Sequence, residues 1–106
     1  MTRLTSLDVP YAHDKIALLV DLERMKRISA AFGGLVPAYQ KIESMDSNAF
    51  CTIVAIGAEK NTADVEATIY EQGLPSLQEP LKRYLNLLCG GGKEAVEGEP
   101  KKDVVA

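Results

Sequence analysis

Asp21-Leu22-Glu23-Arg24-Met25-Lys26-Arg27-Ile28-Ser29-Ala30-Ala31-Phe32-Gly33-Gly34 holds a helix start, an apolar stripe and a stop in one short passage. The Asp21 carboxylate suits an N-cap, where it accepts hydrogen bonds from first-turn amides that have no partner within the helix. Leu22, Met25, Ile28 and Phe32 recur at three- and four-residue steps, the spacing of one helical face, with Ser29 at the stripe's edge. Glu23 falls in the first turn, where negative charge complements the helix dipole. Gly33-Gly34 ends the segment, because glycine enters the left-handed conformation of a helix terminus without steric penalty. Arg24, Lys26 and Arg27 project to other faces, as a solvated surface or as a docking patch for an acidic partner.

The same punctuation recurs at Gly57, Gly73 and Gly90-Gly91-Gly92, dividing the chain into segments one or two short helices long. Pro37 is tolerated in a first turn and precedes Tyr39 and Ile42 at helical spacing. Asp46 or Ser47 caps a further segment with Phe50, Ile53, Val54 and Ala58 on one stripe. There Ala55 and Gly57 would admit a neighbouring helix closely, and Gly57 could equally sit inside this helix at a cost of about 1 kcal/mol relative to Ala. Asn61-Thr62 starts the next helix, with Val65, Ile69 and Tyr70 as its inward stripe up to Gly73. Leu74, Leu77, Leu81, Tyr84, Leu85 and Leu88 continue the periodicity. Pro80 inside an unbroken helix would cost about 3 kcal/mol, so a short turn from Pro75 and a helix from about Glu79 to Cys89 are expected.

Toward the amino terminus, Arg3 to Val9 and Lys15 to Val20 are rich in Leu, Val, Thr and Ile, and Pro10 to Asp14 has turn character. The expected element is a short hairpin. Two strands alone are marginal, so it must lie on helices or extend a partner's sheet; alternatively, Lys15 to Val20 opens the first helix. The expected class is α+β and predominantly helical: an N-terminal β-hairpin packed on about four short helices. Residues 1–89 form one domain, and 90–106, glycine-rich, charged and free of aromatics, form a flexible, disordered tail.

Composition narrows the chemistry. The chain has 106 residues, 12 Lys and Arg against 15 Asp and Glu, and a formal charge of -3. This gives no global attraction to nucleic acid or anionic lipid. The longest apolar run, Ile16 to Val20, is far too short for a membrane span, and the amino terminus lacks a signal-peptide pattern, so a cytoplasmic setting is expected. Cys51 and Cys89 have no zinc or redox spacing and are read as buried thiols. The single histidine, His13, sits in a turn beside Asp14, and the serines lack an esterase elbow. No glycine run matches a phosphate loop, and Asp64, Glu66 and Glu71 are better explained by solvation and the helix dipole than by metal binding. No enzyme activity, cofactor or metal is expected. Phe50 to Ala58 and Thr62 to Gln72 imitate a helix-turn-helix, but the second helix carries no Lys or Arg to meet phosphate or guanine.

From about Lys15 to Gly92 the order of these signals resembles the phage tail-assembly chaperone family, gene-transfer-agent type. Asp21 to Gly33 resembles its first helix, Ser47 through Ile56-Gly57 its central helix, and Thr62 to Gly73-Leu74 its acidic helix followed by Gly-Leu. The resemblance implies a non-catalytic protein of virion morphogenesis that binds the tape-measure protein, keeps that long apolar chain soluble and helps tail-tube subunits assemble. Its setting would be the host cytoplasm. A small phage-encoded regulator or inhibitor of a host protein, or a structural virion subunit, is the alternative, and self-association is left open. Expected partner contacts are Arg24, Arg27 and Tyr39, with Tyr70 and Tyr84 as aromatic anchors.

Overall fold

A computed structural model describes residues 3–93 of the chain. Strands β1 (Ser6–Tyr11) and β2 (Asp14–Leu19) pair antiparallel, with Leu7 opposite Leu18 and Val9 opposite Ile16. The expected hairpin is present, and its turn is tighter than its sequence suggested, only Ala12 and His13 lying between the strands. Strand alternation sends Leu7, Val9 and Leu18 inward, all buried, and leaves Ser6, Asp8, Lys15 and Ala17 exposed. The Val20 amide donates to the Thr5 carbonyl at 2.8 Å, which puts the ladder bonds of β1 on its odd-numbered residues. Pro10 therefore faces away from β2, where its missing amide hydrogen removes no ladder bond.

Five helices follow: α1 (Leu22–Phe32), α2 (Leu35–Glu43), α3 (Ser47–Ala58), α4 (Thr62–Gln72) and α5 (Pro75–Cys89). The predominantly helical α+β class stands, with five helices where about four were expected. Asp21 caps α1 by accepting the Arg24 amide at 2.8 Å, and Asp46 caps α3 by accepting the Ala49 amide at 3.2 Å. The α1 stripe differs from expectation at its start. Leu22 is 65% exposed, whereas Arg24 is buried with Ile28 on the same face, because a carboxylate from the end of α3 meets its guanidinium.

Helix α3 is the interior element. It buries Ala49, Phe50, Cys51, Ile53, Val54, Ala55 and Gly57, which occupy more than one face, and it touches β2 and all four other helices. The neighbour admitted by Gly57 is not a helix backbone, as expected, but the hairpin and a tyrosine. A Cβ there would lie 2.9 Å from the Tyr84 hydroxyl and 3.1 Å from Leu18 Cβ.

Helix α5 also departs from its sequence reading, running unbroken from Pro75 through Pro80. Leu77 and Leu81, on either side of that proline, are both fully buried. Burying each leucine is worth about 1.5–3 kcal/mol, enough together to exceed the penalty of about 3 kcal/mol for one interior proline. Beyond α5 the chain turns back. The Gly92 amide donates to the Leu87 carbonyl and the Gly92 carbonyl accepts the Leu4 amide, both at 2.8 Å. Gly90 to Lys93, placed in the expected tail, thus form a turn tied to the chain start, and the rest of that tail, 94–106, lies outside the described residues. Among the described residues no helix is long and apolar enough to cross a membrane.

Candidate functional site

The five expected contact residues do not form one surface, although Arg24 and Tyr84, both buried, come within electrostatic reach of each other. Tyr84 is fully buried, and its hydroxyl donates to the Leu19 carbonyl at 2.6 Å, bolting α5 to the end of β2. Burial pushes its phenol above the ordinary tyrosine range; the Asp21 carboxylate adds to the shift and the Arg24 guanidinium opposes it. Arg24 is likewise interior, with 6% of its side chain exposed, and its guanidinium pairs with Glu59. Neither residue is available to a partner in this fold. The basic face of α1 reduces to exposed Lys26 and Arg27.

Tyr39 is half-buried on α2, with the Lys82 ammonium 5.5 Å from its ring centroid and Glu79 3.3 Å from that ammonium. It lines a hollow of about 240 Å³ with Leu35, Val36, Leu85 and Cys89. Cys89 is exposed, contrary to expectation, while Cys51 is buried; both thiols are free. Cys89 falls outside the core because it is the last residue of α5, one position past the buried Leu87–Leu88 pair.

Tyr70 stands open to solvent, as Arg27 does. Tyr70 is 86% exposed, where an inward position was expected. Val65 and Ile69 are the buried pair of α4, one helical turn apart, and that line leaves Tyr70 about 100° around the helix from Ile69. Two adjacent large apolar residues on a helix this exposed cannot both face the core. This was the available signal for Tyr70, because Val65 and Ile69 alone satisfy an i, i+4 stripe.

Beside Tyr70 a groove of about 490 Å³ separates the start of α3 from α4. Cys51, Ile69 and Leu74 provide its apolar lining, and Ser47, Asn48 and Glu66 its polar groups. Burial raises the Cys51 thiol above its ordinary pKa and the Glu66 carboxylate adds to the shift. The thiol is therefore protonated at neutral pH and acts as a small apolar group. Apolar lining, a rigid aromatic projecting beside it and a few hydrogen-bonding groups equip this groove to hold side chains of another polypeptide. Cys51 and Leu74 were not among the expected contacts, since the groove arises from the packing of α4 on α3 and from the turn at Gly73 that ends α4. No family model matches the chain, and comparison with curated proteins and with solved structures found no match.

Proposed function

We propose that the protein is a non-enzymatic phage tail-assembly chaperone that holds a helical segment of the tape-measure protein in the groove between α3 and α4 and so assists tail-tube assembly. Two independent lines support the reading: the order of helix signals from Lys15 to Gly92, and the groove with its exposed aromatic wall. The observation that carries it is Tyr70, 86% exposed beside Cys51, Ile69 and Leu74. A tyrosine has few rotatable bonds, so a rigid helix presents its ring at small entropic cost on binding. An amphipathic client helix would place one or two apolar side chains on the groove's lining and its backbone across the rim. Covering such stripes on a long client suppresses the aggregation that exposed apolar surface causes.

Co-expression with a tape-measure fragment tests this directly. The soluble yield of the fragment rises and the two chains co-elute on gel filtration. Tyr70→Asp abolishes both effects, yet thermal melting of the variant alone stays within about 0.5 kcal/mol of the parent, as for an ordinary surface change. An unchanged yield with no complex would overturn the proposal.

A further inference from the structure

We infer that the α3/α4 groove selects for positive charge: Glu66 and Tyr70 together receive an Arg or Lys side chain carried by the docking helix next to its apolar anchor. The inference rests on the groove being the docking site proposed above, and it names the chemistry of the occupant. Glu66 and Tyr70 are four residues apart on α4, so their side chains rise from the same face, one turn above the other. Both line the groove together with Ile69.

Among the described residues neither half of the pair has a charged partner. Glu66 is exposed and has no ion-pair partner there, and the Tyr70 ring is 86% exposed with no described cation over it, unlike the ring of Tyr39. Helix α4 contains Asp64, Glu66 and Glu71 and neither Lys nor Arg, so no cation of its own competes for the position. A guanidinium or ammonium resting on the Tyr70 ring would meet the electron-rich face of the aromatic and the Glu66 carboxylate at once. A carboxylate in the same place would face repulsion without a counter-ion.

The negative field also reaches the groove's lining, where it adds to the elevation of the Cys51 thiol. That lining consists of side chains from α3, α4 and the turn before α5 rather than an open strand edge, so it offers no ladder of backbone groups to an extended peptide and suits a helical occupant. Asp64 and Glu71, seven residues apart, lie on the opposite flank of α4 from Glu66 and Tyr70. They strengthen long-range attraction without touching the occupant. The occupant is therefore an amphipathic helix bearing Arg or Lys one turn from a large apolar residue.

Two fluorescein-labelled helical peptides with an identical leucine stripe, one flanked by Lys and Arg and the other by Glu, distinguish the possibilities when titrated with the full chain and followed by anisotropy. The basic peptide binds at least about tenfold more tightly at low salt, and the gap narrows as salt is added. Glu66→Lys reverses the ranking, Glu66→Gln narrows it, and Glu71→Lys leaves the order unchanged. Equal affinities, or a ranking indifferent to Glu66→Lys, would overturn the inference. So would self-association of the parent chain that Glu66→Lys abolishes while neither peptide binds, because the occupant would then be a second copy.

Co-expression separates this failure from failure of the chaperone reading. A tape-measure fragment solubilised equally by parent and Glu66→Lys sinks the charge selection alone. If neither chain raises the fragment's yield and the basic peptide still binds, the chaperone reading falls and the charge selection stands.

Discussion

Gly57 shows how much a single missing carbon permits. In an α-helix interior, replacing glycine by alanine ordinarily gains about 1 kcal/mol. Here the new Cβ would sit 2.9 Å from the Tyr84 hydroxyl and 3.1 Å from Leu18 Cβ, the latter fixed to the strand backbone. Overpacking of that kind costs about 1–3 kcal/mol, so Gly57→Ala is expected to lower stability by urea denaturation despite the better helix propensity. Its neighbour Tyr84 carries a pH signature. The folded protein holds its phenol above the unfolded value of 10.0, so the proton is bound more tightly in the native state. The resulting stability is complete below pH 10.0 and is lost as pH rises beyond it. Tyr84→Phe flattens that alkaline decline in a denaturation series, and at neutral pH it lowers stability by about 1–2 kcal/mol through the orphaned Leu19 carbonyl. The Arg24 and Glu59 pair follows a related logic. Glu59 sits in the left-handed region at φ 57° to close α3, and its carboxylate answers a guanidinium that is almost wholly interior. Glu59→Ala retains the backbone strain and removes the counter-ion. It is expected to lower the urea midpoint by about 1–3 kcal/mol in free-energy terms, less than for a fully buried pair because Glu59 is itself more than half exposed.

The helices differ in how plainly their sequences announce them. Helix α1 has an Asp cap, a glycine stop and a periodic stripe, and each signal acts within a few residues, so its limits were readable. Arg24 was not, because its partner lies 35 residues away at the end of α3, beyond any local pattern. The unbroken α5 was hidden for the same reason. Proline's penalty is local, whereas the burial of Leu77 and Leu81 that outweighs it depends on what lies beneath. Pro80 deprives the Ser76 carbonyl of its helical donor. Pro80→Ala restores that donor at the expense of up to about 1 kcal/mol of unfolded-state entropy, so a net gain of about 1–2 kcal/mol is expected in thermal or urea unfolding. The groove between α3 and α4 belongs to the same class of hidden feature. Its apolar residues were visible individually in the sequence, but their convergence depends on how α4 lies across α3.

Over the whole molecule, α3 is the axis around which the hairpin and the other helices are arranged, and both ends of the described chain meet on one side. The Leu4 amide is held by the Gly92 carbonyl, and a Cβ on Gly92 would fall 2.6 Å from the Leu4 carbonyl oxygen and 2.5 Å from Arg3 Cγ. Gly92 also takes φ 91°, so Gly92→Val is refused by both backbone and space. Its expected result is a Leu4 amide that exchanges with deuterium at the rate of a frayed end, while amides inside α3 keep their protection. The Leu4 to Gly92 bond has a further consequence for how the polypeptide is strung. Residues 4 and 92 are already neighbours, so the backbone traces an almost closed loop, and the position of its opening is a covalent accident rather than a demand of the packing. Joining these two points through a short glycine linker and cutting instead at the exposed Lys60–Asn61 junction should yield a circular permutant with the same hairpin, the same five helices and an intact α3/α4 groove.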